Sequence, residues 1–160
     1  MNKEKIDSYS FKVTQANKTQ LVVIVYDIIL DDIKTAREEA ANGLVEEFVK
    51  TVKHGQKFVM ELMKTLDCQY QIGLDLMTLY LYLNKQMIQA IIQRKSDALE
   101  GLEDVILKLR SAFDTLSRTD YSGPVMQNTE QVYAGLTYNK RDLSEAYLDA
   151  GNQLKRGFTV

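Results

Sequence analysis

The side chains best suited to chemistry are few in this sequence: one histidine, His54, one cysteine, Cys68, and acidic pairs at Asp31-Asp32, Glu38-Glu39 and Glu46-Glu47. A di-iron helical bundle needs inward carboxylates and Glu-x-x-His pairs, and His54, followed by Gly55, has no such spacing around it. No partner for acid-base catalysis accompanies His54 in the sequence, so it reads as a partly exposed helix residue. Cys68 sits between helical segments with no motif for an activated thiolate nearby, so it reads as structural or incidental. The acidic pairs fall on outward helix faces and read as solvated surface. Glycine-rich phosphate loops are absent. No catalytic residue, metal site or cofactor is expected, and the chain offers no reaction.

What it offers instead is apolar surface. Over Ile72 to Ile92, at about 100° per residue, Ile72, Leu76, Leu79, Tyr80, Leu83, Met87 and Ala90 form one stripe. Leu74, Met77, Leu81, Ile88 and Ile92 form a second, expected roughly opposite the first. The apolar sector is about 220° wide, against a stripe of roughly 100° or a little more on an ordinary surface helix. Such a surplus belongs to a central helix, to one covered by the chain's own tail, or to a docking surface.

With 160 residues, 45% of them hydrophobic, the chain is long enough for one domain with a genuine core. A net charge of −2 gives no electrostatic reason to expect nucleic acid or an anionic membrane as partner. The first residues lack the apolar run of a signal peptide, and the stretch Leu21 to Leu30 is broken by Asp27 and too short to span a bilayer. A cytosolic protein is expected, and a lone cysteine fits that reducing compartment.

The elements that carry these residues follow from period and punctuation. A first helix is expected from Lys18 to Ala41, with Asn17 and Gln20 as a capping box and Gly43 just past its end. Its core stripe is Val22, Val25, Ile29, Ile33, Ala36 and Ala40. A second runs from Leu44 to Leu66, with Gly55 on its apolar face where two helices approach closely, and a fourth from Ser96 to about Leu116. Long helices joined by short breaks predict an all-α, antiparallel up-down four-helix bundle over residues 17–118. Tyr9, Phe11 and Val13 alternate with polar residues, which predicts an extended N-terminal tail over residues 1–16. Residues 119–160 hold four of the eight glycines and the only proline, and read as an irregular, partly helical extension.

The order of features is similar to that of one known family. Tyr9 in the tail, Thr19-Gln-Leu-Val-Val-Ile-Val-Tyr26-Asp27 opening the first helix, Leu79-Tyr80-Leu81-Tyr82-Leu83 in the third and Leu107-Lys108-Leu109-Arg110 in the fourth resemble the FliS flagellar export chaperones. The likeness covers about residues 9 to 118. Three positions depart from it: Asn17-Lys18 stands where Ser-Pro is frequent, Ile28 where glycine follows Tyr-Asp, and Leu81 where Leu-Tyr-Asp-Tyr has its aspartate. The last adds an apolar side chain to the second stripe.

The resemblance implies a chaperone without ATP that binds the disordered C-terminal segment of flagellin one to one in the cytosol. It would keep its client monomeric until hand-over to the flagellar export gate. The surplus stripe agrees with such a helix-in-groove mode. The partner-binding residues expected are Leu74, Met77, Leu81, Ile88 and Ile92, the tail residues Tyr9 and Phe11, and Leu21, Ile24 and Ile28 of the first helix. Two readings stay open beside it: a structural module whose second stripe forms a homodimer when free, and a helical enzyme, against which the inward stripes lack the Arg and Lys that helical mutases collect.

Overall fold

A computed structural model describes residues 3–126. The chain divides into two compact units, Met1–Val125 and Met126–Val160, and the described residues fall almost wholly in the first. The C-terminal residues expected to supply short helices, around 128–136 and 142–150, lie outside the described residues.

All described secondary structure is helical: α1 (Lys3–Gln15), α2 (Lys18–Ala41), α3 (Val45–Lys64), α4 (Gln71–Gln93), a 3-10 turn (Asp97–Leu99) and α5 (Leu102–Ser117). Helix α2 starts with the expected capping box. Asn17 Oδ1 accepts from the Gln20 amide at 2.8 Å, and Gln20 Oε1 accepts from the Asn17 amide at 3.0 Å, so two otherwise orphaned donors are satisfied together. The helix ends at Gly43, whose φ of +72° is a left-handed conformation that glycine adopts without a Cβ penalty.

Packing order follows from contacts between neighbours: α2 lies against α3 and α5, α3 against α4, and α4 against the 3-10 turn. Directions are fixed by pairs of side-chain bridges. Asp27 meets Arg110 and Arg37 meets Glu103, so advancing along α2 means retreating along α5. Glu46 meets Arg94 and Gln56 meets Asn84, so ten residues forward on α3 are ten back on α4. This is the antiparallel up-down bundle that the short connections require. Its centre is filled by Ile29, Phe48, Val59, Leu83, Met87 and Ile106, all essentially inaccessible. Gly55 marks a close approach, as expected. A Cβ there would lie 3.3 Å from the Asp32 Cβ and 3.4 Å from its Oδ2.

Four expectations are corrected. The first 16 residues are not extended: α1 folds back along α2, because Tyr9, Val13 and Ala16 recur at helical spacing and pack on Ile24, Ile28 and Phe58. The alternation came from Phe11, which faces solvent at 70% exposure. The fourth bundle helix starts at Leu102 rather than Ser96, because Gly101 at φ +78° breaks the run and leaves buried Leu99 on the 3-10 turn. Ile72 and Leu79, placed on the first stripe of the third helix with Leu83 and Met87, are exposed at its end and edge. Asp32, assigned to a solvated face, is 4% exposed.

Residues just beyond α5 return to the start of α2. The Asn17 side-chain amide donates to the Asp120 carbonyl at 2.9 Å, the Thr19 hydroxyl donates to Asp120 Oδ2 at 2.6 Å, and the Val125 amide donates to the Ala16 carbonyl at 3.0 Å. The Ser122 hydroxyl and then Thr19 hold the Asp120 carboxyl down at about 2. Tyr121, by contrast, is fully out in solvent.

Candidate partner-binding surface

Helix α4 supplies both a core face and a free one. Tyr80, Leu83, Met87 and Ala90 are buried. About 145° around the helix, Leu74, Leu81, Ile88 and Ile92 are 46%, 51%, 40% and 74% exposed, with Met77 half-buried nearer the core. The second stripe therefore lies roughly opposite the buried face of α4 and forms its exposed flank. Periodicity gives two opposed apolar stripes but not which of them is core, and the packing of Tyr80 and Met87 decides that.

The flank faces the seam with α3. Gln56 Nε2 donates to Asn84 Oδ1 at 2.8 Å across that seam, so the helix face bearing Gln56 adjoins the face of α4 bearing Asn84. One turn farther along α3, Met60 is 44% exposed; in the antiparallel register it stands level with Tyr80, next to Leu81. Sequence reasoning missed Met60. Its signal was faint, since a single methionine outside the apolar stripe of α3 is unremarkable until a neighbouring helix supplies the other wall.

The remaining expected residues lie on another flank. Ile24 and Ile28 are buried beneath α1, with Leu21 and Phe58 partly buried beside them. Tyr9 is held there by its hydroxyl, which donates to Asp31 Oδ2 at 2.8 Å, while Lys5 Nζ lies 3.0 Å from Asp31 Oδ1. Burial and the Asp31 carboxylate push the Tyr9 phenol well above its ordinary range. Burial also raises the Asp31 carboxyl, but Lys5 and Tyr9 outweigh it and leave the group below the ordinary carboxylate value. Phe11 lines a cleft of about 390 Å³ with Gln20, Val23, Ile24, Asp114 and Ser117. The structure thus gathers Tyr9, Leu21, Ile24 and Ile28 at one place, and the five α4 residues at another.

The motif residues have a different position again. Tyr26 and Tyr80 share a hydrogen bond between their buried hydroxyls, and the Tyr26 ring meets Phe113 edge-on at 5.6 Å. Arg110 holds Asp27 through Nε at 2.6 Å, with Nη2 at 3.4 Å from the second oxygen. The stretches around Tyr26-Asp27, Tyr80 and Arg110 are thereby locked to one another as α2, α4 and α5. Tyr26, Asp27, Tyr80 and Arg110 shape the bundle, while Leu81, beside Tyr80, stands on the exposed flank.

Among the described residues no group of His, Cys, Asp and Glu is arranged to hold a metal ion. None of the described helices is long and apolar enough to cross a membrane. No curated protein sequence matches the chain. One family does, under the description flagellar protein FliS, over residues 2–120. That span takes in α1, the whole bundle and the Asp120 contact with Thr19, and the chain belongs to the FliS family of flagellar proteins.

Proposed function

We propose that this chain is a cytosolic flagellin chaperone that receives the C-terminal segment of its client, as one or more amphipathic helices, on the exposed flank of α4. The observation that carries the reading is the pair of faces on α4. Leu83 and Met87 are 1% exposed, while Leu81 and Ile88, two residues before and five after Leu83, stand open to solvent. Leu74, Leu81 and Ile88 recur every seven residues, the spacing at which a helix laid alongside presents successive anchors. From Leu74 to Ile92 the flank is about 27 Å long at 1.5 Å per residue, room for a client helix of about five turns.

Helix α1 is the second part of the proposed site. Tyr9 and Val13 cover Ile24 and Ile28 in the free protein, and a client helix of similar apolar face competes for the same strip. A segment that is disordered alone and folds on these surfaces buries the contacts by which it would otherwise polymerise. It then travels to the export gate in monomeric form.

The test is polymerisation. Mixed one to one with flagellin from the same genome, the chain should hold flagellin monomeric by sedimentation under conditions where flagellin alone forms filaments. Filament growth at an unchanged rate contradicts the proposal. A mass that doubles with concentration, together with no effect on flagellin, identifies the flank as a homodimer interface instead.

A further inference from the structure

We infer that the groove between α3 and α4 selects helices with acidic flanks, because its rims are basic at mid-length. This rests on the proposed docking of a helix on α4, and adds the chemistry of that helix. The hydrogen bond from Gln56 to Asn84 fixes the register of the two groove walls at its centre. On α3, Lys53 and Lys57 lie one turn or less from Gln56; on α4, Lys85 adjoins Asn84. At about 100° per residue, all three stand on the solvent side of the apolar strip formed by Met60, Leu81 and Ile88. All are exposed, and none makes an ion pair with another described residue.

The other rim charges of that seam are already matched. Glu46 is bridged to Arg94 at 3.3 Å, closing one end of the groove, and Lys64 to Glu61 at 2.6 Å towards the other. Asp75 falls on the far side of α4 from the groove by the same helical period. The middle therefore presents three unmatched cations around an apolar floor, on a protein whose net charge is −2. A docked helix with Glu or Asp on both shoulders of its apolar face places anions beside all three. One with Lys or Arg there meets like charge on both rims, which is how an interface rejects wrong partners at modest expense in contact area.

Two stapled 18-residue helical peptides decide it, identical in their leucine face and carrying either Glu or Lys on both shoulders. Calorimetry against the full chain at about 50 mM salt, where charges interact over roughly 14 Å or so, should show the acidic peptide binding at least tenfold tighter. The preference should shrink at high salt, and a Lys53→Glu/Lys57→Glu/Lys85→Glu variant should abolish or reverse it. General attraction predicts the opposite order, since the protein is net acidic. Equal affinities, a preference for the basic peptide, or a preference untouched in the triple variant overturns the inference. A flagellin C-terminal fragment titrated in parallel separates the two proposals: its failure to bind with the acidic preference intact removes flagellin as client and leaves the groove's selectivity standing.

Discussion

His54 Nδ1 lies 2.6 Å from Oδ2 of Asp32, a carboxylate buried between α2 and α3 beside Gly55. Burial pushes the Asp32 carboxyl above its ordinary value, against the pull of His54. The imidazole itself is half-exposed and stacks edge-on with Phe58 at 5.1 Å. Its position makes it a solvent-side partner for an otherwise isolated buried acid.

Removing that partner should be costly, and more so at higher pH. His54→Ala leaves a buried carboxylate with fewer bonds, a loss of about 1–3 kcal/mol. A carboxyl whose folded pKa is raised contributes stability that is present below the unfolded pKa and is lost as pH rises through the folded one. The gap in urea midpoint between His54→Ala and His54→Ala/Asp32→Asn should therefore widen from pH 4 to pH 8, in favour of the double variant. A gap independent of pH means that Asp32 is not the group responsible.

For α1 the sign runs the other way. The folded pKa of Asp31 is lowered by Lys5 and Tyr9, so its contribution is present above the ordinary carboxylate value and lost as pH falls through the folded one. Asp31→Asn should loosen α1 by about 0.5–1 kcal/mol, the contacts being partly exposed. Amide exchange over residues 3–15 should rise roughly two- to fivefold while the bundle's melt stays put. Deleting residues 2–14 should keep the bundle's helicity and alter client affinity; unaltered affinity takes α1 out of the site.

The return of the chain across the α1–α2 junction separates two truncations. Ending the chain after Met126 keeps the Asp120 and Val125 contacts and should leave the melting temperature within a degree or two. Ending it after Arg118 removes the acceptor of the buried Asn17 amide, about 1 kcal/mol, or several degrees for a domain of this size. Equal melts for both would show that the contact adds nothing.

The bundle was legible in the sequence because its signals are local and redundant. Asn17 with Gln20, Gly43, and the stripes through Ile29, Phe48 and Ile106 each identify an element before any partner is known. Helix α1 was not, since Phe11 and Val13 imitate a strand while Tyr9, Val13 and Ala16 spell a helix, and only the apolar strip of Ile24 and Ile28 decides between them. Asp32 was misread for a similar reason. A carboxylate on a helix gives no sign of burial until His54, 22 residues away, is seen beside it. Of the proposed site, the two stripes of α4 and the angle between them were readable, and which of them is core was not.

That division of α4 into a buried and an exposed face is what a charge scan measures, with folding and binding read on the same variants. Leu83→Asp puts an unpaired charge in the core and should destabilise the bundle by several kcal/mol or prevent folding. Leu81→Asp and Ile88→Asp should melt within a few degrees of the parent, and lose about 2 kcal/mol, some thirtyfold, in calorimetric affinity for a flagellin C-terminal fragment. Full affinity in both flank variants contradicts the assignment of this flank as the client site.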